Sequence, residues 1–295
     1  MGLTFNLMRD GLGAINTASA QLQQAQIEAA TGKRIRKPSD DPAGAQQALA
    51  ERAELGAIDA YQHSADSASA RLAAADSALG DMVDKLTQAV STVMSVRGSS
   101  VQPAVRASAA TTLVGIRDAI LADLNTSFQG NSVFSGGKVD QPSYALVGGV
   151  WTYQGDTNVV QVDVDRVRTV TIGFNGQSLA QGSDAEDVLT TIDKMIAAVT
   201  SGDETAMAAG SDALNRAFDR ANQAQGRLGA DESAIADTQV RLTMRHTSVD
   251  ARRSKLEDAN MAEALTRMSQ ADTAYKAALG AVSSVEKLSL LDYLQ

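Results

Sequence analysis

Met261-Ala-Glu-Ala-Leu-Thr-Arg-Met268-Ser-Gln-Ala-Asp-Thr-Ala-Tyr275-Lys-Ala-Ala-Leu279-Gly-Ala-Val282-Ser-Ser-Val285 is the stretch that decides the fold. Met261, Ala264, Met268, Ala271, Tyr275, Ala278, Val282 and Val285 recur at alternating steps of three and four. That spacing lines up one apolar seam on a helix, with alanine at every second place as far as Ala278. Alanine lets two helices approach closely, but such a seam buries little surface alone. The intervening residues are small or polar, among them Ser269, Thr273, Ser283 and Ser284, and the chain then reaches an apolar tip, Leu288-Ser-Leu-Leu291-Asp-Tyr293-Leu294. A helix built this way needs a partner helix.

The first residues have the same texture. Phe5, Met8, Leu12, Ile15, Leu22 and Ala29 fall on one three-four seam, interrupted by Ser19 and Gln26. Two termini with matching seams predict helices that become buried on association. Between them, Ile58, Tyr61, Ala65, Ala68, Leu72, Ala75, Leu79, Met82, Leu86, Ala89, Val93 and Val96 keep the alternation unbroken, which predicts one long helix from Ala43 to Val96. Pro103 opens the next helix, with Ala109, Leu113, Ile116, Ile120 and Leu124 on one face. Met207, Leu214, Ala221, Leu228, Ile235, Leu242, Val249 and Leu256 then recur every seventh residue. The series slips at Glu257-Asp-Ala-Asn260, where Glu263 takes the next position and the apolar seam restarts at Met261.

The composition changes near Gly130. Tyr144–Val147 and Val150–Tyr153 flank Gly148-Gly149 as a hairpin. Val160, Val162 and Val164 alternate with polar residues, as do Val170, Ile172 and Phe174, predicting a small sheet with one exposed face. Ser183-Asp-Ala-Glu186 and Ser201-Gly-Asp-Glu204 read as capping boxes where helices resume. Before the long helix, Gly32-Lys-Arg-Ile-Arg-Lys-Pro38-Ser-Asp-Asp-Pro42 is a basic, turn-rich joint. There Asp41 is placed to cap a helix that starts at Pro42.

The 295 residues carry a formal net charge of -9 and no cysteine. An acidic balance argues against nucleic-acid binding, which needs a basic footprint, so the basic joint reads as structural. Disulfides and thiol chemistry are excluded. No apolar run reaches spanning length, so membrane insertion is not expected, and the N-terminus lacks the compact apolar block of a cleaved signal peptide. His63 and His246 have no second histidine at ligand spacing, and no metal, phosphate-loop or nucleophile-elbow motif occurs. Trp151, Tyr144, Tyr153 and Phe174 read as a minimal core for the insert, with a ligand patch as the less favoured reading. The chain is expected to be neither an enzyme nor cofactor-dependent.

The joint, through Pro42-Ala-Gly-Ala45, resembles the N-terminal signature of the flagellin superfamily. Leu256-Glu-Asp-Ala-Asn-Met-Ala-Glu263, continuing through Met268-Ser-Gln, resembles its C-terminal signature, and Arg227-Leu-Gly-Ala230 lies where that family carries a similar tetrad. Lys37-Pro38, the Phe134-Ser-Gly and Tyr153-Gln-Gly-Asp156 segments, and the ending Leu288–Leu294 point to the hook-associated junction branch. A short or minor flagellin is the alternative. The resemblance implies a mainly α fold in which the N- and C-terminal regions form a long helical coiled coil and bundle around a central β-rich domain. The expected partition is a terminal assembly domain of residues 1–42 and 257–295, a long-helix bundle of 43–130 and 183–256, and an outer insert of 131–182.

The function it implies is a structural adaptor of the extracellular bacterial flagellum. Copies in a helical layer would join another hook-associated protein on the hook side to flagellin on the filament side. Export would be unfolded, through the flagellar type III apparatus with a cytoplasmic chaperone, without a cleaved signal. The assembly interface is expected at Phe5, Met8, Leu12, Ile15 and Leu22, and at Met261, Leu265, Met268, Tyr275, Leu279, Val282, Val285, Leu288 and Leu291. The joint signature is Arg34, Lys37, Pro38, Asp40, Asp41 and Pro42. Removing residues 265–295 should therefore leave a soluble monomer whose middle still melts cooperatively by circular dichroism. Loss of that transition would make the C-terminal seam an internal core.

Overall fold

The computed structural model describes residues 2–98 and 100–293, with side chains from 9 to 284. Its contacts divide the chain into two compact units, 1–57 with 245–295, and 58–244. The first contains α1 (Gly2–Thr31) and α7 (Met261–Tyr293), while α2 (Pro42–Ser95) and α6 (Glu204–Glu257) supply residues to both. These boundaries differ from those expected at 42/43 and 256/257. The joint does not separate two bodies but lies inside the terminal unit, because its backbone bonds to the end of α6.

In the larger unit the three-four seam of α2 is buried from Ile58 to Val96, apart from the half-buried Tyr61. From Ala65 onward it shares one apolar core with Leu113, Ile116 and Ile120 of α3 (Pro103–Leu124) and with Leu189, Ile192 and Val199 of α5 (Val188–Ser201). The every-seventh positions Met207 to Ile235 of α6 complete that core. At Gly210 a Cβ would lie 2.2 Å from Met195 Sδ, so α5 and α6 touch there only because a side chain is missing.

Neither expected capping box forms. Asp187 caps α5, its carboxylate accepting the Thr190 N–H at 2.9 Å. Ser201 is the last residue of α5, and Gly202 follows it in left-handed geometry. Asp203 takes the capping role for α6 by accepting the Ala206 N–H at 3.0 Å. An Asp one residue from the helix start reaches the free N–H groups more directly than the more distant serine.

The insert is also not one sheet. It consists of three two-stranded antiparallel pairs: β1 (Ser127–Phe128) with β2 (Asn131–Ser132), β3 (Tyr144–Val147) with β4 (Val150–Tyr153), and β5 (Gln161–Asp165) with β6 (Arg168–Thr171). Gly148 and Gly149 both have positive φ, as a two-residue hairpin turn with this strand twist requires. The pairs are too small to hold themselves, and α2 supplies a brace. Arg71, 6 % exposed, donates from Nε to the Ile172 carbonyl at 2.6 Å and from Nη2 to the Ser132 carbonyl at 2.7 Å. Its guanidinium satisfies acceptors that a continuous sheet would have paired. Trp151 donates to Asp193 at 2.8 Å, and Arg117 both pairs with Asp193 at 2.6 Å and lies over the indole ring at 5.8 Å. The insert is thereby part of the larger unit rather than a separate outer body. Its aromatic residues form the insert's core: Tyr144 packs on Tyr153, and Phe134 on Phe174.

Asp123 on α3 is half-buried, with a buried Oδ2 that has no hydrogen-bond partner. Burial first, and the neighbouring Asp81 second, push its carboxyl up to about 6, against an opposing pull from Lys85. The folded chain therefore holds this proton to a higher pH than the unfolded chain does. Stability from this group is present below about pH 4 and is lost as pH rises through about 6. Asp123→Asn is expected to stabilise the chain by about 1–2 kcal/mol at pH 7.5, after allowance for partial solvent screening. The gain should vanish below pH 4 in denaturant titrations across pH. A pH-independent gain would contradict the assignment.

Candidate assembly interface

α1 and α7 pack against each other in the terminal unit. They run antiparallel: Gly11 abuts Val282, and Glu28 meets Arg267 at 3.3 Å. A Cβ at Gly11 would lie 2.8 Å from Val282 Cγ2, so the helices touch nearly backbone to side chain there. On α7 the inward positions are Ala264, fully buried, and the half-buried Met268, Ala271, Tyr275, Ala278 and Val282. On α1 they are Gly11, Ile15, Ala18, Leu22, Ala25 and Ala29. The N-terminal seam therefore does not pass through Ser19 and Gln26, which are exposed. It passes through Ala18 and Ala25, which are buried. Ile15-Ala18-Leu22-Ala25-Ala29 is itself a three-four series, and it was the visible signal for this face.

Large apolar side chains are left over. Leu12 is 51 % exposed, Met261 45 %, Leu265 49 % and Leu279 42 %. They lie off the α1–α7 contact, so the expected interface residues form two groups. Ile15, Leu22, Met268, Tyr275 and Val282 are half-buried within the pair, whereas Leu12, Met261, Leu265 and Leu279 face solvent. The side chains of Phe5, Met8, Val285, Leu288 and Leu291 lie outside the described residues.

The joint and the α6–α7 break close on each other. Gly32 ends α1 in left-handed geometry, its N–H bonded to the Glu28 carbonyl. The N–H groups of Arg34 and Ile35 donate to the Glu257 carbonyl at 2.7 and 3.3 Å, and Ala259 N–H donates to the Gly32 carbonyl at 2.8 Å. Arg34 reaches the Leu256 carbonyl at 2.7 Å and Asp41 at 3.2 Å. Asp41 also accepts the Gly44 N–H at 2.9 Å, the leading reason its carboxyl is held below the usual range, and so caps α2 ahead of Pro42. Asp40 accepts the N–H groups of Arg36 and Lys37, both at 3.1 Å, which fixes the turn through the exposed Pro38.

Glu257 is the buried charge of this knot, 2 % exposed. Burial disfavours its ionised form, but Arg52 at 2.7 Å and Lys33 at 3.6 Å outweigh that and hold its carboxyl below the usual range. Lys33 also pairs with Asp258, whose carboxyl is lowered chiefly by that contact. The importance of Glu257 and Arg52 was not visible in the pattern, because a carboxylate at the end of a heptad series reads as a solvated residue.

Among the described residues no group of His, Cys, Asp or Glu could hold a metal ion, and no helix is long and apolar enough to cross a membrane. The family model of the bacterial flagellin N-terminal helical region matches residues 9–138, and that of the C-terminal helical region matches residues 211–294. The chain belongs to the flagellin family. Flagellar hook-associated protein 3 of Salmonella typhimurium is 27 % identical over 207 residues, covering 65 % of this chain and 64 % of that protein. The match to Escherichia coli flagellar hook-associated protein 3 is 25 % identical and covers 59 % of this chain and 54 % of that protein. The chain thus matches less than two thirds of the length of these relatives. Among solved structures, a flagellar hook-associated protein from Vibrio parahaemolyticus has a TM-score of 0.71 at 21 % identity, over 74 % of this chain and 100 % of that one. FlgL of Xanthomonas campestris has a TM-score of 0.63 at 17 % identity, over 69 % and 99 %. These likenesses establish the fold of this flagellin-family chain.

Glu257→Gln leaves Arg52 and Lys33 facing a neutral buried amide. It should destabilise the terminal unit by roughly 1–2 kcal/mol, less than a fully buried pair because Arg52 is largely exposed. Hydrogen exchange should quicken in residues 9–57 and 245–284 and stay unchanged in the α3 and α5 amides. Equal acceleration everywhere, or none, would contradict a local knot.

Proposed function

We propose that this chain is a structural adaptor at the junction between the flagellar hook and filament. The observation that carries the reading is the divided surface of the terminal helices. Each copy satisfies one seam internally and keeps Leu12, Met261, Leu265 and Leu279 for its neighbours. Covering a half-exposed leucine contributes on the order of 1 kcal/mol, which is too little for a lone pair of copies and adequate when every copy has several neighbours. In this reading the patch of one copy meets a different patch of the next in a heterologous, open-ended association rather than a closed dimer, as a layer within a helical appendage requires. The names of the relatives, hook-associated protein 3, support the hook end of the filament as the place.

In this reading the layer contacts another hook-associated protein on one side and flagellin on the other. The chain is exported through the flagellar type III apparatus with a cytoplasmic chaperone and works outside the cell. The role is mechanical and requires neither a reaction nor a cofactor. The expected partition into a terminal assembly part and a long-helix body becomes functional here: the terminal unit binds neighbours and the larger unit is a spacer.

A strain lacking the chain should keep its hooks and release unpolymerised flagellin into the medium, as seen by electron microscopy and immunoblotting. Normal filaments in that strain would overturn the proposal. Long filaments grown by the purified chain alone would identify a short flagellin instead.

A further inference from the structure

The tip of the β3–β4 hairpin is an apolar protrusion with nothing to pack on. Its base is anchored: Trp151 donates to Asp193 of α5 with Arg117 of α3 over its ring, and Asn125 holds both the N–H and the carbonyl of Tyr144. Beyond Trp151 the hairpin stands clear, and a Cβ at Gly148 or Gly149 would meet nothing within 4 Å. Leu146, Val147 and Val150 are all exposed there. Val147 lies opposite Val150 and Leu146 opposite Trp151, so both faces of the tip are apolar. An antiparallel pair with one face in solvent carries polar side chains on it, and this tip has none to offer.

A recess of about 280 Å³ lies between α5 and α6. Thr191 and Met195 line it from α5, and Ala206, Ala209, Gly210 and Ala213 from α6. Met195 forms its floor only because Gly210 has no side chain, and a methionine floor adapts to what packs on it. The charges on the rim are already paired with each other, Asp184 with Arg216 at 2.8 Å and Glu186 with Lys194. A recess so lined takes an uncharged aliphatic group. Among the described residues of the larger unit the other exposed large apolar side chains fit it less well. Val105 precedes Arg106, Val167 lies between Arg166 and Arg168, Val240 and Met244 flank Arg241, Arg97 reaches the Met94 sulfur, and Val159 stands alone. Leu265 and Leu279 project from a helix about 10–12 Å across. The hairpin alone offers three aliphatic side chains together on a narrow glycine turn, with no charge from Tyr144 to Gln154.

We propose that the β3–β4 tip of one copy inserts into the α5–α6 recess of a second copy. The placement of the two surfaces supports this. Asp193, to which Trp151 is tied, is two residues from both Thr191 and Met195, hence about 160° round α5 from each. Tip and recess therefore lie at one level on opposite flanks of the same helix, and copies set side by side present one to the other. The two surfaces differ, so the contact is heterologous and repeats without closing. The inference rests on the junction reading, in which copies lie side by side, and gives the spacer a contact of its own.

The absence of cysteine allows a direct test. Thr152 on the hairpin and Ala209 at the recess are both exposed. A strain producing the chain with Thr152→Cys and Ala209→Cys, its appendages purified and treated with a short bismaleimide, should give a ladder of cross-linked chains on immunoblots. Each single-cysteine variant should give monomer. Adding Val147→Asp and Val150→Asp should reduce the ladder about tenfold, because a carboxylate gains no partner in the recess. Ala206→Trp, which fills the recess from its exposed rim, should do the same, and Val167→Asp should change nothing. Appendages that contain the double-cysteine chain but yield no ladder would overturn this contact and leave the junction reading standing. A ladder indifferent to the tip and recess substitutions, or a dimer from Thr152→Cys alone, would also overturn it. Absence of the unmodified chain from the appendages would overturn both.

Discussion

Every helix end leaves backbone groups that the helix cannot satisfy, and this chain brings two such ends together. α1 stops at Thr31 and α6 at Glu257, and each break supplies the partners that the other lacks. The carbonyl of Glu257 takes the N–H groups of Arg34 and Ile35, while the carbonyl of Gly32 takes that of Ala259. The side chains repeat the exchange, with Arg34 on the Leu256 carbonyl and Lys33 on Asp258. Without this closure, α1 and α7 would be two weak helices on independent tethers. With it they start from a fixed origin, and an antiparallel pair with Gly11 against Val282 follows.

The closure also explains why the fully buried positions between the terminal helices are small side chains. A pair anchored at one end needs only small residues along its contact, and Ala18, Ala25 and Ala264 are the buried ones. Leu12, Leu265 and Leu279 are left outside. In an ordinary domain Leu265 and Leu279 would be misplaced, and in a subunit that functions only among neighbours they are an unfilled half of a core. The larger unit has the opposite economy. Its seams are filled by Leu72, Leu86, Leu113, Ile120 and Ile192, all fully buried, so its stability does not wait for a partner.

Much of this was legible in the sequence because helical periodicity survives any tertiary context. The three-four runs located α2, α3 and α7, the every-seventh series located α6, and its slip at Glu257–Asn260 marked the break. The insert was less legible. The Gly148-Gly149 turn identified β3 and β4 as a pair and alternation identified β5 and β6, but short strands carry no information about whether such pairs join into one sheet. Their separation into three pairs depends on Arg71 and Trp151, whose partners lie far away in the chain. The capping errors have the same origin: several acceptors lay within reach of each helix start, and chain geometry selected Asp187 and Asp203. On α1 the apolar Leu12 drew the seam to itself, although the closer packing allowed by Gly11, Ala18 and Ala25 decided the face.

The proposed assembly buries the leucines that the α1–α7 pair leaves exposed. Thiol accessibility measures this most directly in a cysteine-free chain. Cysteine in place of Leu265 or Leu279 should react quickly with a maleimide in the free subunit and be protected in purified appendages. Cysteine in place of Val167, 91 % exposed in the larger unit, should react in both. Equal reactivity of the Leu265 and Leu279 positions in free and assembled chains would show that this face stays in solvent, and would contradict the account.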